Sequence, residues 1–500
     1  MDDNDTRVSI SIVQYLSPAN SGSCGYCKRG RNKRKDGSDD TEEPSFSLGV
    51  WAHDLNVKAY GDLCDVGWRR SGKYLYKPIM DKTCCPQYTI RLDVHNFRIS
   101  RTHKRVLRNM HNYLKYGKLP ERAIPDPTLD STPSKLPKVK SKTENACLKK
   151  LTVKDDINEA KSERAEKGVK KKEFRKQRAI ERRLKRGENI FEYQRERRLK
   201  EQSRKRTIQS FVEEYVEGEG WKHKLEIRTV QKGSPEFDKS MEESYNLFCK
   251  YQKLVHDDTN TSRKGYEGFL ISSPLTTLPS DRVQLPALGS YHQQYILDGK
   301  IIAVGVIDLL PRCLSSKYFF YDPSYSFLTM GTYSALREIA FTQELSKTRP
   351  SLHYYYMGYY LQDCPKMRYK GKFKPSDLLC DKTFKWMPLE EAVEKIISND
   401  SKFTVFYPDD PRPIAPSFAS IRCMFRDRVI MYPKLRDELS GNKLIEFDER
   451  MNELRYYMHK VIESVVVFFP SLTVNQLADD DSATTEESSQ SSSRSSTAEH

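Results

Sequence analysis

The sequence predicts a mixed fold, α+β or α/β, carried by two ordered regions on either side of a charged segment. Three observations point there. Residues 1–117 hold short strands closed by an amphipathic helix, and residues 207–475 alternate helix, hairpin, strand, helix and strand. The formal charge of +16 is concentrated outside both regions. Hydrophobic residues make up 37% of the 500 and charged ones 31%, below the apolar share of a wholly compact globule, so part of the chain buries no core.

In the first region, strands are expected around Ser45–Val50, Tyr74–Lys77 and Tyr88–Leu92. Helix Thr102–Tyr116 follows, with Leu107, Met110 and Leu114 on one face and basic residues on the other. The second region opens with helix Phe237–His256. A hairpin, Tyr291–Leu297 and Ile301–Leu310, then turns at Asp298-Gly299. Strand Lys317–Tyr321, helix Thr332–Leu345 and strand Leu352–Leu361 complete the pattern.

Between the regions, residues 118–206 read as a low-complexity linker. Leu119–Ser141 is rich in Pro, Ser, Thr and Lys, and Lys161–Arg206 holds 20 Lys and Arg against 8 Asp and Glu. Neither repays its ordering entropy by burial. The basic run reads either as a solvated charged helix or as an RNA-contacting and nuclear-import segment, KKKEFRKQR. Residues 476–500 read as a disordered, acidic, Ser-rich tail. The apolar runs Ile301–Leu310 and Val465–Phe469 fall short of a membrane span of roughly 20 residues, and an acidic start opposes a secretory signal. With 11 cysteines, an odd number, reduced thiols or metal ligands are expected rather than a disulfide framework. The expectation is an intracellular monomer, cytoplasmic with possible access to the nucleus, that meets a polyanion and no membrane.

Cys24-Gly25-Tyr26-Cys27 and Cys84-Cys85-Pro86 form the first constellation. Two thiolates two residues apart bite one metal, and an adjacent pair supplies further soft ligands. Zinc and an iron–sulfur cluster suit this donor set equally; buried reduced thiols are the alternative. Just upstream, Gly67-Trp68-Arg69-Arg70-Ser71-Gly72-Lys73-Tyr74-Leu75-Tyr76-Lys77-Pro78 alternates cations with aromatics. That composition suits either a carboxylate grip or an exposed basic hairpin.

The stretch His292–Leu361 is the most informative. Gly305 and Asp308 interrupt an apolar strand, which signals a close backbone approach and a buried acid in need of a partner. Tyr321-Asp322-Pro323 ends the next strand, and Gly331 leads to a helix start where free amides favour an anion.

The motifs CGYC, GWRRSGKYLYKP with TCCPQY, HQQY with LDGK and AVGVIDLLP, FYDP, and YYYMGYY with CPKMRYKG resemble the arginyl-tRNA–protein transferases, eukaryotic enzymes of the N-degron pathway. The resemblance covers about 1–117 and 207–435. It implies an acetyltransferase-like (GNAT-like) transfer domain at 207–475 and a cysteine-bearing N-terminal domain at 1–117 for metal and acceptor recognition. It also implies an iron–sulfur cluster, zinc or haem at Cys24, Cys27, Cys84 and Cys85, arginyl-tRNA as co-substrate, and acceptor proteins that begin with Asp, Glu or oxidised Cys. One departure is Gly268 before Phe269-Leu270, where the family pattern calls for a basic residue.

The implied reaction is attack of an acceptor α-amine on the ester carbon of arginyl-tRNA. An α-amine of pKa about 7.7–8.0 is partly neutral at physiological pH, so positioning and charge stabilisation suffice without a nucleophilic Ser or Cys. Asp308 is expected to orient or deprotonate the amine, or to bind the arginyl guanidinium, with Tyr321 and Asp322 at the same centre. Arg69, Arg70, Lys73 and Lys77 are expected to form the acceptor pocket. His292, Gln293, Gln294 and Tyr295 are assigned to the terminal adenosine or peptide backbone, and Tyr333 and Ser334 to the phosphate side. The other readings are an acyl-CoA-dependent N-acyltransferase, a tRNA/RNA-binding or RNA-modifying protein, and a zinc-dependent interaction module.

Overall fold

A computed structural model of the chain describes residues 11–20, 24–27, 45–120, 177–203, 206–214, 220–277, 285–425, 428–439 and 441–469. The acidic tail at 476–500 and the Pro- and Ser-rich stretch from 121 onward lie outside the described residues. The chain divides into two compact units, Met1–Asp130 with Glu217–His500, and Ser131–Val216. Within the second unit, Ile190–Ser203 is a helix of mixed charge, and Thr207 caps the short helix Ile208–Val212 by accepting from the Ser210 amide at 3.2 Å.

The first unit contains two eight-stranded mixed sheets. Its strands in chain order are β1 (Ser11–Asn20), β2 (Phe46–Asn56), β3 (Arg69–Ser71), β4 (Tyr74–Pro78), β5 (Tyr88–Asp93), β6 (Leu225–Val230), β7 (Leu275–Thr276) and β8 (Gly289–Leu297). Then come β9 (Lys300–Leu309), β10 (Cys313–Tyr321), β11 (Tyr354–Tyr360), β12 (Ser376–Leu379), β13 (Trp386–Pro388), β14 (Arg422–Phe425), β15 (Arg428–Met431) and β16 (Val465–Phe468). One sheet is ordered β15-β14-β16-β1-β2-β4-β3 with β7 beside β2; the other is β13-β12-β5-β11-β10-β9-β8-β6. The β8–β9 hairpin turns at Asp298-Gly299 as expected, with both residues at positive φ.

Four helices set the site: α1 (Val57–Cys64), α2 (Arg101–Tyr116), α3 (Pro235–Val255) and α4 (Met330–Thr348). Each start but the last carries a side-chain cap. Asn56 accepts from the Ala59 amide at 2.7 Å, Ser100 and His103 form a capping box, and Ser234 caps α3 ahead of Pro235.

The division into separate domains at 1–117 and 207–475 is corrected here. Strand β5 sits between β11 and β12 in the second sheet, and β16 lies parallel between β1 and β14 in the first. The reason is burial. The Val-Val-Val of β16 is fully buried and needs a partner on each side, and no strand near it in sequence supplies both. A single core cluster accordingly joins Val13, Trp68, Tyr356, Leu379 and Val467, and the Trp68 indole donates to the Tyr457 carbonyl at 2.9 Å.

Polar contacts also cross between the sheets. Arg70 on β3 forks onto Asp308 on β9, Arg312 reaches Asp62 at 2.7 Å and also Asp65, Lys77 on β4 pairs with Asp381, and Tyr359 donates to the Gly67 carbonyl at 3.0 Å.

Gly72 turns β3 into β4 at φ +61°, and a Cβ there would collide with the Gly268 carbonyl oxygen. Gly72→Ala is therefore expected to destabilise the fold by about 2 kcal/mol or more. Chemical denaturation checks this, and an unshifted midpoint would contradict the packing described.

Candidate functional site

Strands β10 and β11 run parallel, yet they pair only over Cys313–Ser315 and Tyr354–Tyr356. Beyond that point β10 slips register against β9 between Ser316 and Tyr318, and β11 slips against β5 between Tyr356 and Tyr359. Both strands continue, so a wedge opens between them. Its cavity of about 460 Å³ is lined by Ser316 and Lys317 of β10, Tyr355 and Met357 of β11, Gly331 and Ser334 of α4, and Lys370. Helix α4 begins at this wedge. Its preceding residue Thr329 is left-handed, makes no side-chain cap, and buries a hydroxyl without a partner among the described residues. Gly331 of this first turn lines the cavity, and a helix start favours negative charge.

Two lysines that line the wedge and a glutamate behind it are perturbed. Burial pushes the Lys317 amine well below the usual lysine range, and neighbouring Arg70 adds to the effect against Asp308. Lys317 donates to the Phe269 carbonyl at 2.7 Å. Burial, then the Arg69 charge, lowers Lys370 to about 7; it donates to the Tyr359 carbonyl at 2.7 Å. Burial raises Glu338 of α4 to about 7, with hydrogen bonds from Tyr355 and Ser316 opposing the rise. Glu338 and Lys370 went unassigned in the sequence. One trace of Glu338 existed: the close approach signalled at Gly305 is to this residue, because a Cβ at 305 would lie 3.1 Å from Glu338 Oε1.

The cysteines at 24, 27, 84 and 85 converge, with all four Sγ atoms within 4.8 Å of one another. Cys27 and Cys84 sulfurs are 3.5 Å apart, and the Tyr26 amide donates to Cys24 Sγ at 3.4 Å. Without a positive charge among them, burial and mutual hydrogen bonding push the Cys84 thiol up to about 12 and Cys85 higher still. A bound cation would reverse that. This quartet fits a metal by donor type and spacing. Gly25 and Tyr26 of the same loop also line the wedge.

Most of the expected site residues lie elsewhere. Asp308 is fully buried, its two oxygens taking Arg70 Nε at 2.9 Å and Nη2 at 2.6 Å. Arg70 also donates to Ser290 Oγ at 2.9 Å and the Gly72 carbonyl at 2.8 Å. Arg70 and Asp308 thus neutralise each other. Both oxygens of Asp322 accept from Lys250 at 2.7 Å, and one accepts from the Ser324 amide at 3.0 Å. Burial alone would raise Asp322, but Lys250 and Ser324 outweigh it and hold the carboxyl below the usual range. Asp322 thereby caps the turn Pro323–Leu328. Asp308 pairs with Ser315, whereas the Asp322 amide bonds to Ile302 at the far end of the hairpin. Seven residues of strand separate them, roughly 20 Å, so Asp308, Tyr321 and Asp322 do not form one centre. Tyr321 is buried against Tyr251.

The strand His292–Tyr295 is internal to the second sheet. Burial lowers His292 to about 4, so it stays neutral and bonds to the Leu270 carbonyl at 3.2 Å. Gln293 accepts from Tyr295 at 2.9 Å, and Gln294 donates to Ser240 at 2.6 Å. Tyr333 packs edge-on to Tyr295, leaving Ser334 as the phosphate-side residue that lines the wedge. Of the four cations, Lys77 is held by Asp381 and Lys73 is half-buried. Arg69 differs: its Nη1 donates to the Cys64 and Trp68 carbonyls at 3.1 and 2.6 Å, its plane lies over Tyr356 and Tyr359, and its buried Nε and Nη2 have no partner among the described residues. A Cβ at Gly268 would meet open space, with Lys317 already donating to the neighbouring Phe269 carbonyl.

Similar proteins define the class first. An aspartate/glutamate leucyltransferase from Pseudomonas fluorescens is 33% identical over 33% of this chain and 60% of its own. An arginyl-tRNA–protein transferase 1 from Drosophila melanogaster is 36% identical over 77% of this chain and 84% of its own, and an arginyl-tRNA–protein transferase 2 from Arabidopsis thaliana is 31% identical over 75% and 74%. All three are named as transferases. Residues 22–105 match the N terminus and 243–380 the C terminus of arginine-tRNA-protein transferase, spans that take in the thiol quartet and the wedge. The chain belongs to the arginine-tRNA-protein transferase family.

Because Arg70 and Asp308 are each other's counter-charge, Arg70→Met is expected to destabilise the protein by about 3–5 kcal/mol. Arg70→Met combined with Asp308→Leu should recover most of that loss in denaturant titrations. Additive losses would mean the pair is not a unit.

Proposed function

We propose that this protein transfers arginine from arginyl-tRNA to the α-amino group of proteins beginning with Asp, Glu or oxidised Cys, marking them for ubiquitin-dependent N-degron degradation. The observation that carries the activity is the extent of its likeness to arginyl-tRNA–protein transferases, over most of both chains. A monomer acting in the cytoplasm and nucleus fits this role.

The wedge is the transfer centre in this reading. Parallel strands splayed at a helix start make β10–α4–β11 an acetyltransferase-like core. The first turn of α4, with Ser334, receives the acceptor-end phosphodiester of the tRNA and stabilises the oxyanion that forms at the ester carbon. The aminoacyl ester then lies between Ser316 and Tyr355, and the acceptor amine enters from the side of Lys370. Arg69 is the acceptor-reading cation of this proposal, since its two unpartnered nitrogens, Nε and Nη2, lose nothing by turning to a carboxylate, whereas Arg70 and Lys77 would each have to abandon a paired acid. Lys370, within electrostatic reach of Arg69, gains a proton when an acid binds beside it.

The thiol quartet holds one metal ion that braces the Gly25–Tyr26 wall. Four thiolates at about 2.3 Å from zinc lie roughly 3.8 Å apart along a tetrahedron's edges, in keeping with a spread of 4.8 Å. A multi-iron cluster puts bridged metals between its thiolates and spaces them more widely, so a single zinc-like ion is preferred over the iron–sulfur and haem alternatives.

Incubation with labelled arginyl-tRNA and an Asp-initiated peptide should label the peptide; tRNA binding without transfer would instead identify an RNA-binding protein. Arg69→Lys should raise KM for that peptide about tenfold, a loss of about 1.4 kcal/mol, with tRNA affinity unchanged. Lys370 is charged below about 7 and neutral above it, so the same KM should rise as pH passes upward through that value, and Lys370→Met should flatten the rise. Elemental analysis should find one metal per chain, lost in Cys27→Ser; two or more irons per chain would exclude the single-ion site.

A further inference from the structure

We propose that Glu338 accepts the proton released by the attacking amine, receiving it through the Tyr355 hydroxyl. This deepens the reading of the wedge as transfer centre and rests on it.

The geometry is a short chain of polar atoms leading out of the cavity. Tyr355 and Ser316 line the wedge. Tyr355 donates to Glu338 Oε2 at 2.8 Å, and Ser316 is bonded to both Glu338 and Tyr355. Glu338 sits behind them, 1% exposed, in the third turn of α4. Its other oxygen faces the backbone of Gly305.

What separates Glu338 from the other buried acids is its company. Asp308 faces Arg70, Asp322 faces Lys250, and Asp65 faces Arg312; each has an opposite charge in contact. The groups that face Glu338 are neutral: Tyr355 from β11, Ser316 from β10, Tyr295 from β8 and only Gly305 from β9. On its own helix, Arg337 acts on Tyr295 rather than on Glu338. Burying an acid with hydroxyls alone is costly, and a glutamine would make the same hydrogen bonds without that cost. A proton-accepting role uses the property that a glutamine lacks. With its pKa raised to about 7, Glu338 is matched to an α-amine of pKa about 7.7–8.0.

The step balances within the two substrates. The amine nitrogen bonds to the ester carbonyl carbon and loses a proton to the Tyr355 oxygen, while the Tyr355 proton passes to Glu338 Oε2. The carbon–oxygen bond to the ribose breaks, and the proton returns along the same hydroxyl to the ribose oxygen. Amide and free ribose hydroxyl leave, and Glu338 is again ionised. Because Glu338 must begin ionised, the transfer rate should fall as pH drops below about 7.

The test is single-turnover transfer by the full-length protein, from saturating arginyl-tRNA to an Asp-initiated peptide, across the pH range. Glu338→Gln is expected to slow transfer about 100-fold or more, to reduce the acid limb below about pH 7 to the single-proton slope left by an α-amine of pKa about 7.7–8.0, and to leave arginyl-tRNA affinity unchanged. Tyr355→Phe, which keeps the ring, should act alike and carries the test should Glu338→Gln fail to fold. A Glu338→Gln or Tyr355→Phe enzyme that works within about threefold of the parent, or a Glu338→Gln enzyme that is slowed but keeps the parent's two-proton slope below about pH 7, would overturn the relay. Ala335→Phe, which fills the wedge, separates this from the underlying reading. Loss of transfer in Ala335→Phe with Glu338→Gln unaffected would sink the relay alone, and transfer intact in both would sink the wedge as the centre.

Discussion

The fork between Arg70 and Asp308 is the contact on which the arrangement of the molecule turns. It joins β3 of one sheet to β9 of the other, with side chains 1% and 0% exposed. Two charges so far from water are tolerable only when each satisfies the other, so the two sheets have one mutual position in which this seam closes. Asp308 is also level with Ser315, the last residue of β10 paired with β11 before the strands part. The bridge therefore holds β9 and β10 in register at the apex of the wedge, and the Arg70 charge reaches far enough to add to the burial that lowers Lys317. Around it, Arg312 with Asp62 and Asp65, and Lys77 with Asp381, repeat the pattern on a smaller scale.

A division of labour among the ionisable groups follows. Those with an opposite charge in contact are structural: Arg70, Lys77, Asp308 and Asp322 hold elements together and have no capacity to spare. Four groups without one stand out, two of them, Lys317 and Lys370, lining the wedge. Glu338 is met by hydroxyls, Lys370 and Lys317 by backbone carbonyls, and Arg69 keeps two N–H groups unpartnered. Chemistry that needs protons moved or a carboxylate recognised belongs with the second set, because only there does the incoming group improve on what is already bonded.

The thiol quartet belongs to the same design. Its four cysteines come from two loops 57 residues apart, one before β2 and one on the crossing from β4 to β5, where the chain passes from the first sheet to the second. Burial first, then hydrogen bonding among the thiols, raises Cys84 and Cys85, and a cation held by the four would favour their thiolate forms instead. Tyr26, between two of the thiols, is also a wall of the wedge, so the quartet and the wedge share one loop.

Much of this was legible in the residues alone. Local rules sufficed for the hairpin at Asp298-Gly299, for α2, α3 and α4, and for the pairing of Cys24 and Cys27 with Cys84 and Cys85, since period, turn chemistry and ligand spacing act within a few residues or between matching motifs. The seam was half visible: Asp308 announced a need for a partner, and Arg70 stood in a cationic motif, but nothing short-range could say that each was the answer to the other. In the same way Gly305 marked a close approach without naming Glu338, and an apolar Val465–Phe469 gave no hint that it would lie between β1 and β14. Composition and motif thus determined the chain's family, many of its elements and the four cysteines that could hold a metal. Which acids are paired with a cation, and which are left able to take a proton, was decided by tertiary structure, because a buried charge takes its chemistry from the groups folded against it, which lie from 17 residues away for Glu338 to 238 for Asp308.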